Sequence, residues 1–132
     1  YRPQRSVDHF VKWARNNDRK MKKIHYPGVR KRNLFKEGYI ASKSGHSRGS
    51  TIDLTIIDKN TGNELDMGTI YDFFGKESWI GYSGLTDLQK QNRLLLQSLM
   101  KKFGFKPLKE EWWHFTLHNE TFPDTYFNFL IE

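Results

Sequence analysis

Two short stretches, far apart in the chain, carry residue types able to hold and use a metal ion. In Ser44-Gly-His46-Ser-Arg-Gly-Ser-Thr-Ile-Asp53 a histidine and a carboxylate stand seven residues apart, where a glycine-punctuated loop runs into a β-branched segment. In Glu111-Trp-Trp-His114-Phe115 a second histidine follows a glutamate at a spacing of three. Catalytic zinc usually takes three protein ligands and leaves a fourth position to water, so His46 and Asp53 need a third donor from elsewhere. His114 is the best candidate, with Glu111 able to act as base on the activated water. His118 is its competitor, since a strand continuing to 118 would put both histidines on one face. Residues three apart in a regular strand face opposite sides. Glu111 and His114 can therefore share a site only if the glutamate lies in a loop or bulge before the strand, and such an irregularity is predicted.

The elements around these stretches must aim them at one point. Gly45 and Gly49 bracket His46 and suit a sharp bend. Thr51 to Ile57 reads as a strand closed by the turn Asp58-Lys-Asn-Thr-Gly62. Asp53 would then lie between Ile52 and Leu54, where an unpaired carboxylate is costly, so it should have a metal or an arginine as partner. Val7, Phe10, Val11 and Ala14 follow helical spacing and predict a helix from about 4 to 20, with Ser6 as a cap and Asp8 in its first turn. Thr86 and Gln89 form a capping box for a second helix near 86 to 103. Its Leu88, Leu95, Leu96, Leu99 and Phe103 read as one apolar, core-facing stripe, and Gly104 ends it. Tyr126 to Ile131 reads as a closing strand, with a short helix as the alternative. His9 and His25 have no partner at ligand spacing and read as structural. The fold class expected is α+β: a small, mainly antiparallel sheet carrying the metal site, with the two helices packed against it.

Composition narrows the field. A length of 132 residues suits one domain with one core. Aromatic residues make up 15% of the chain, which argues against disorder despite the low mean hydropathy. Cysteine is absent, which excludes a disulfide framework and a thiolate metal site. The formal charge of +7 is concentrated between Arg15 and Lys36. This cluster reads as a solvated helix end and loop, attraction to an acidic surface being the sharper alternative. A nucleic-acid partner is not expected, because charge and aromatic content explain neither histidine motif. No apolar run approaches the roughly 18 residues of a membrane span, and the first residues lack a secretory pattern.

Taken together, Ser44 to Asp53 and Glu111 to Phe115, with the opening Tyr1-Arg-Pro-Gln4 and Asp66-Met-Gly-Thr69 followed by Asp72, resemble the zinc-dependent D-alanyl-D-alanine dipeptidases of the VanX type, within the wider group of D-Ala-D-Ala metallopeptidases. The resemblance runs from the first residue to about Phe115, and Tyr-Arg-Pro-Gln and Trp112-Trp113 favour the dipeptidase branch over the carboxypeptidases. It implies one Zn²⁺ per chain on His46, Asp53 and His114, Glu111 as general base, and Arg2 polarising the scissile carbonyl. It also implies that Asp72 receives the free amino terminus of a D,D-dipeptide, chiefly D-Ala-D-Ala. Ser44 is placed either to hydrogen-bond a small substrate or to cap its own loop. Of Trp112 and Trp113, which alternate across a strand, one is expected to wall the substrate pocket, and Trp112 is the candidate. Relatives of this kind carry a segment ahead of Tyr1, so residues 1–132 are read as a single metallopeptidase domain lacking its N-terminal part. The alternatives are a zinc-stabilised binding module without catalysis and a D,D-carboxypeptidase acting on peptidoglycan peptides.

Overall fold

The computed structural model describes residues 1–131. Helix α1 spans Gln4–Arg15 and begins at Pro3, whose φ of −56° suits a helix start. Ser6 is not its cap and lies inside the first turn. The helix stops at Arg15, short of the expected Lys20, because side chains take over the backbone's hydrogen bonds. Asn16 Oδ1 accepts from the Asp18 amide at 2.8 Å, and Asp18 Oδ1 accepts from the Lys20 amide at 2.9 Å. Val7 and Ala14 are its buried residues. With Phe10 and Trp13, Ala14 packs on a cluster formed by Tyr26, Val29, Leu34, Tyr39, Ile40 and Phe74. A single turn, α2 (Lys22–His25), precedes that cluster.

Three strands form one antiparallel sheet in the order β1-β3-β2, from β1 (Thr51–Asp53), β2 (Phe105–Leu108) and β3 (Glu111–Leu117). The strand expected over 51–57 is regular only to Asp53. Beyond it Ile57 bridges Glu64 across the 58–62 turn, where Asp58 Oδ1 accepts from the Asn60 and Thr61 amides. The predicted irregularity at Glu111 is present. Pro107 pairs with Phe115 but the next residue, Leu108, pairs with Glu111, so residues 112–114 bulge relative to β2. As a result both tryptophans are buried, in a second core cluster with Met67, Leu96, Met100 and Phe115.

Helix α3 (Asp87–Lys102) has the capping box that its sequence announces. Thr86 Oγ1 accepts from the Gln89 amide and Gln89 Oε1 from the Thr86 amide. Gly104, at φ 82°, follows it in the left-handed conformation that glycine favours. The packed face of α3 corrects the leucine-stripe expectation. Asn92, Arg93, Leu96, Gln97 and Met100 are buried, whereas Leu88, Leu95, Leu99 and Phe103 are exposed. The cause is polar: Arg93 donates to the carbonyls of Met67, Glu77 and Trp79, and Asn92 donates to that of Asp66. These bonds set the rotation of the helix against the segment 66–79, and the leucine stripe turns away.

The chain from Tyr126 to Ile131 forms neither the closing strand nor a helix. It is an extended strap lying between the start of α1 and the His46 loop. Phe127 donates its amide to Ser47 O at 2.9 Å and accepts from the Gln4 amide at 3.0 Å. Asn128 is held by Arg5 through backbone and guanidinium, and Tyr1 stacks on Phe129. A ladder cannot form, because its partners are a helix N-terminus and a turn. No helix among the described residues is long and apolar enough to cross a membrane.

Candidate metal centre and substrate cavity

His46 sits in a 3₁₀ turn, Gly45–Arg48. Ser44 caps that turn by accepting the His46 amide at 3.3 Å, and Gly49 ends it at φ 75°. A side chain at Gly45 would collide with Thr51, so glycine there lets the turn lie against the start of β1. The turn leads directly into β1, whose last residue, Asp53, pairs with His114 on β3. Sheet register thus sets Asp53 against His114, and the glycine-bounded turn brings His46 over both.

The donors converge. Asp53 Oδ2 lies 3.1 Å from His46 Nε2 and Asp53 Oδ1 lies 3.1 Å from His114 Nδ1. One donor atom from each of the three residues falls within 4.8 Å of the others. Two donors of a tetrahedral zinc, each about 2.0–2.1 Å from the ion, are about 3.3 Å apart. Asp53 Oδ1 is buried and has no well-oriented hydrogen-bond donor despite its closeness to His114. A carboxylate whose two oxygens each face an imidazole nitrogen, one of them buried and without a hydrogen-bond donor, is an environment a divalent cation satisfies, and with histidine and carboxylate donors and no thiolate the set fits a metal ion.

The ionisation of the cluster follows from the same contacts. Burial alone would raise the Asp53 carboxyl, but the His114 and His46 imidazoles outweigh it and hold the group well below the usual carboxylate range. Burial would lower His114, yet Asp53 and Glu111 raise it to about 9. Glu111 Oε2 is 3.3 Å from His114 Nδ1. Its residue is only 9% exposed, and burial pushes its carboxyl up against the opposing pull of His114.

Around these groups is a cavity of about 250 Å³. Arg2, Ser44, His46, Asp53, Asp72, Glu111 and His114 all line it, so seven of the eight residues singled out in the sequence meet in one place. Arg2 donates its amide to His46 O at 3.2 Å and brings Nη2 to 3.7 Å from Asp53 Oδ2. Asp72 enters from an irregular segment in the left-handed conformation, at φ 52°. Its residue is open to solvent as a whole, but the surrounding protein desolvates the carboxyl and, with the nearby Asp53 charge, raises its pKa.

Trp112 is the exception. It is buried in the core, does not line the cavity, and donates Nε1–H to Thr69 Oγ1 at 2.8 Å. The bulge at 112–114 removes the alternation on which the pocket-wall expectation rested. Ser44 serves as the loop cap as well as lining the cavity. His118 is exposed and outside the donor cluster, its amide bound to Gly104 O.

Other contributors carried no sequence signal. Tyr39, Ile40 and Ala41 form cavity wall, although their stretch reads only as a connection toward the His46 loop. His25 lies behind Asp72, with Nδ1 3.0 Å from Asp72 O and its own carbonyl accepting from the Phe74 amide at 2.6 Å. Lys43 lines the cavity beside Ser44. Only adjacency to the motif could have drawn attention to it.

Comparison with known proteins gives a consistent result. The family model described as D-ala-D-ala dipeptidase matches residues 1–132. The chain is 42% identical over 132 residues to a D-alanyl-D-alanine dipeptidase of Enterococcus faecalis, covering 99% of this chain and 65% of that protein. It is 39% identical over 133 residues to one of Enterococcus faecium, covering 100% and 66%. With one of Streptomyces coelicolor it shares 42% identity over 132 residues, covering 99% and 65%. The chain thus spans about 65% of the length of these relatives.

Proposed function

The chain belongs to the D-Ala-D-Ala dipeptidase family, and on that premise we propose that it hydrolyses D-alanyl-D-alanine and related D,D-dipeptides with one Zn²⁺ held by His46, Asp53 and His114. Zinc bound there supplies Lewis acidity toward a peptide carbonyl and makes water a stronger acid. Glu111 takes the proton of the attacking water and returns it to the leaving amine. Its burial favours proton uptake, and its 3.3 Å approach to His114 keeps it beside the donor cluster. Arg2, close to Asp53 Oδ2, turns its guanidinium toward the carbonyl oxygen as that oxygen becomes negative. Asp72 pairs with the substrate's free ammonium and so disfavours peptides extended or blocked at that end. Ser44 holds the His46 loop and presents its hydroxyl to the same cavity. Trp112 acts from behind, through Thr69.

The observation that carries this reading is the meeting of a histidine-aspartate-histidine donor set with Glu111, Arg2 and Asp72 in one small cavity. D-alanine release from D-Ala-D-Ala by the zinc-loaded chain tests it, with Glu111→Gln as the discriminating variant. Zinc content should be unchanged and kcat should fall by roughly 10²- to 10⁴-fold. Near-parental turnover would remove Glu111 from the mechanism, and zinc loss would make it a ligand. A zinc-loaded parent with no turnover would point to a non-catalytic module. A preference for longer peptidoglycan peptides would point to a D,D-carboxypeptidase.

A further inference from the structure

A free dipeptide is charged at both ends, and Asp72 answers only one of them. Besides the histidines, two residues with cationic side chains, Arg2 and Lys43, contribute to the cavity lining. Arg2 is engaged near the metal donors, with Nη2 3.7 Å from Asp53 Oδ2. Lys43 makes no salt bridge among the described residues. Its ammonium instead lies over the ring of Tyr126, 4.8 Å from the centroid.

That seat is itself fixed. Tyr126 Oη accepts a hydrogen bond from Arg48 Nη1 at 3.1 Å. Arg48 is clamped by both carboxylate oxygens of Glu120, a mostly buried bidentate pair of the kind that fixes a guanidinium in direction as well as position. Glu120, Arg48 and Tyr126 therefore hold an aromatic face beneath an ammonium that no carboxylate neutralises. An aromatic face orients a cation without cancelling its charge. This leaves the lysine able to take up an anion.

We propose that Lys43, seated on Tyr126, is the receptor for the substrate's C-terminal carboxylate, so that Asp72 and Lys43 together select a dipeptide with two free ends. The inference rests on the dipeptidase reading above and deepens it. It assigns a specificity role to a residue that belongs to neither histidine's donor set.

The test compares D-Ala-D-Ala with its C-terminal amide, which keeps the shape and loses the charge. Binding of both is measured by calorimetry on the zinc-loaded chain in a Glu111→Gln background, with and without Lys43→Met or Lys43→Arg. With Lys43 present, the free acid should bind roughly 10- to 100-fold more tightly than the amide, the scale of one charge-assisted hydrogen bond. Lys43→Met should abolish that ratio while leaving amide binding and zinc content unchanged, and Lys43→Arg should keep most of it. A preference for the acid that survives Lys43→Met overturns the proposal, as does equal weakening of both ligands. Turnover measured in parallel on the Glu111 parent separates the two readings: no hydrolysis with an intact, Lys43-dependent binding ratio rejects the dipeptidase activity and leaves the carboxylate receptor standing.

Discussion

The two sides of the cavity are held in place by different kinds of bond. On the metal side, Asp53 and His114 are opposed by strand register, and His46 is delivered by a short turn feeding directly into the same strand. On the Asp72 side, the segment 66–79 has almost no regular structure, and side chains from elsewhere hold it through its carbonyls. Arg93 binds three of these carbonyls, Asn92 a fourth, and His25 the carbonyl of Asp72. Backbone pairing is cooperative and tolerant of side-chain change. A segment hung from single side chains is vulnerable at each of them. The metal side should therefore fail as a unit, and the Asp72 side piece by piece.

The largest effect expected is on the metal side. His114→Ala should remove metal and activity together, measured as bound zinc per chain, while His118→Ala should keep both. Zinc lost with His118→Ala but kept with His114→Ala would overturn the donor assignment. Next comes Arg93→Met, which leaves three carbonyls of the 66–79 segment without their buried donor. A loss of about 2–5 kcal/mol in urea unfolding is expected. The zinc-loaded folded variant should still hold its metal, and equal loss of metal would mean the two sides are one unit after all.

Asp72→Asn is smaller and more selective. It should raise KM for D-Ala-D-Ala by roughly 10- to 100-fold, as expected for one charge-assisted contact, with zinc content intact. An unchanged ratio of rates on free and N-acetylated dipeptides would separate Asp72 from selectivity. The gentlest contrast is in pH. In the metal-free protein the Asp53 and Glu111 carboxylates push His114 up from the ordinary 6.5 to about 9. The stability lent by its charged ring is complete below 6.5 and fades as pH rises toward 9. Melting temperature measured across that window should fall for the metal-free chain and stay flat in metal-free His114→Ala.

The same contrast decides what could be read from the sequence. His46, Asp53, Glu111 and His114 were legible because strand periodicity and glycine punctuation are local signals, and the conflict of a glutamate and a histidine three apart announced the bulge that the sheet contains. Asp72 was placed by resemblance, since nothing local marks a left-handed aspartate between two aromatics. Arg93 and Asn92 were hidden by a stronger pattern. A leucine stripe at helical spacing implies burial, but hydrogen bonds to carbonyls distant in sequence turned the helix the other way. The C-terminal strap departs from its sequence pattern for a related reason: Tyr126 to Ile131 has strand composition, but its partners are a helix start and a turn.

That strap also sets an order of events. Arg5 and Asn128 are separated by 123 positions, so the arm bearing Arg2 leaves the ribosome long before the residues that fasten it. Contacts so distant in sequence form late, since the loop entropy must be met first. The three candidate donors can assemble once β3 pairs with β1, whereas the arm bearing Arg2, tied to the His46 turn through its amide, gains its Phe127 and Asn128 contacts only when the strap docks. Pulse-labelled hydrogen exchange during refolding should find the Gln4 and Arg5 amides protected after that of Leu54, which pairs with Trp113. The His46, Asp53 and His114 donor set would thus form before the arm bearing Arg2 gains its last fastening.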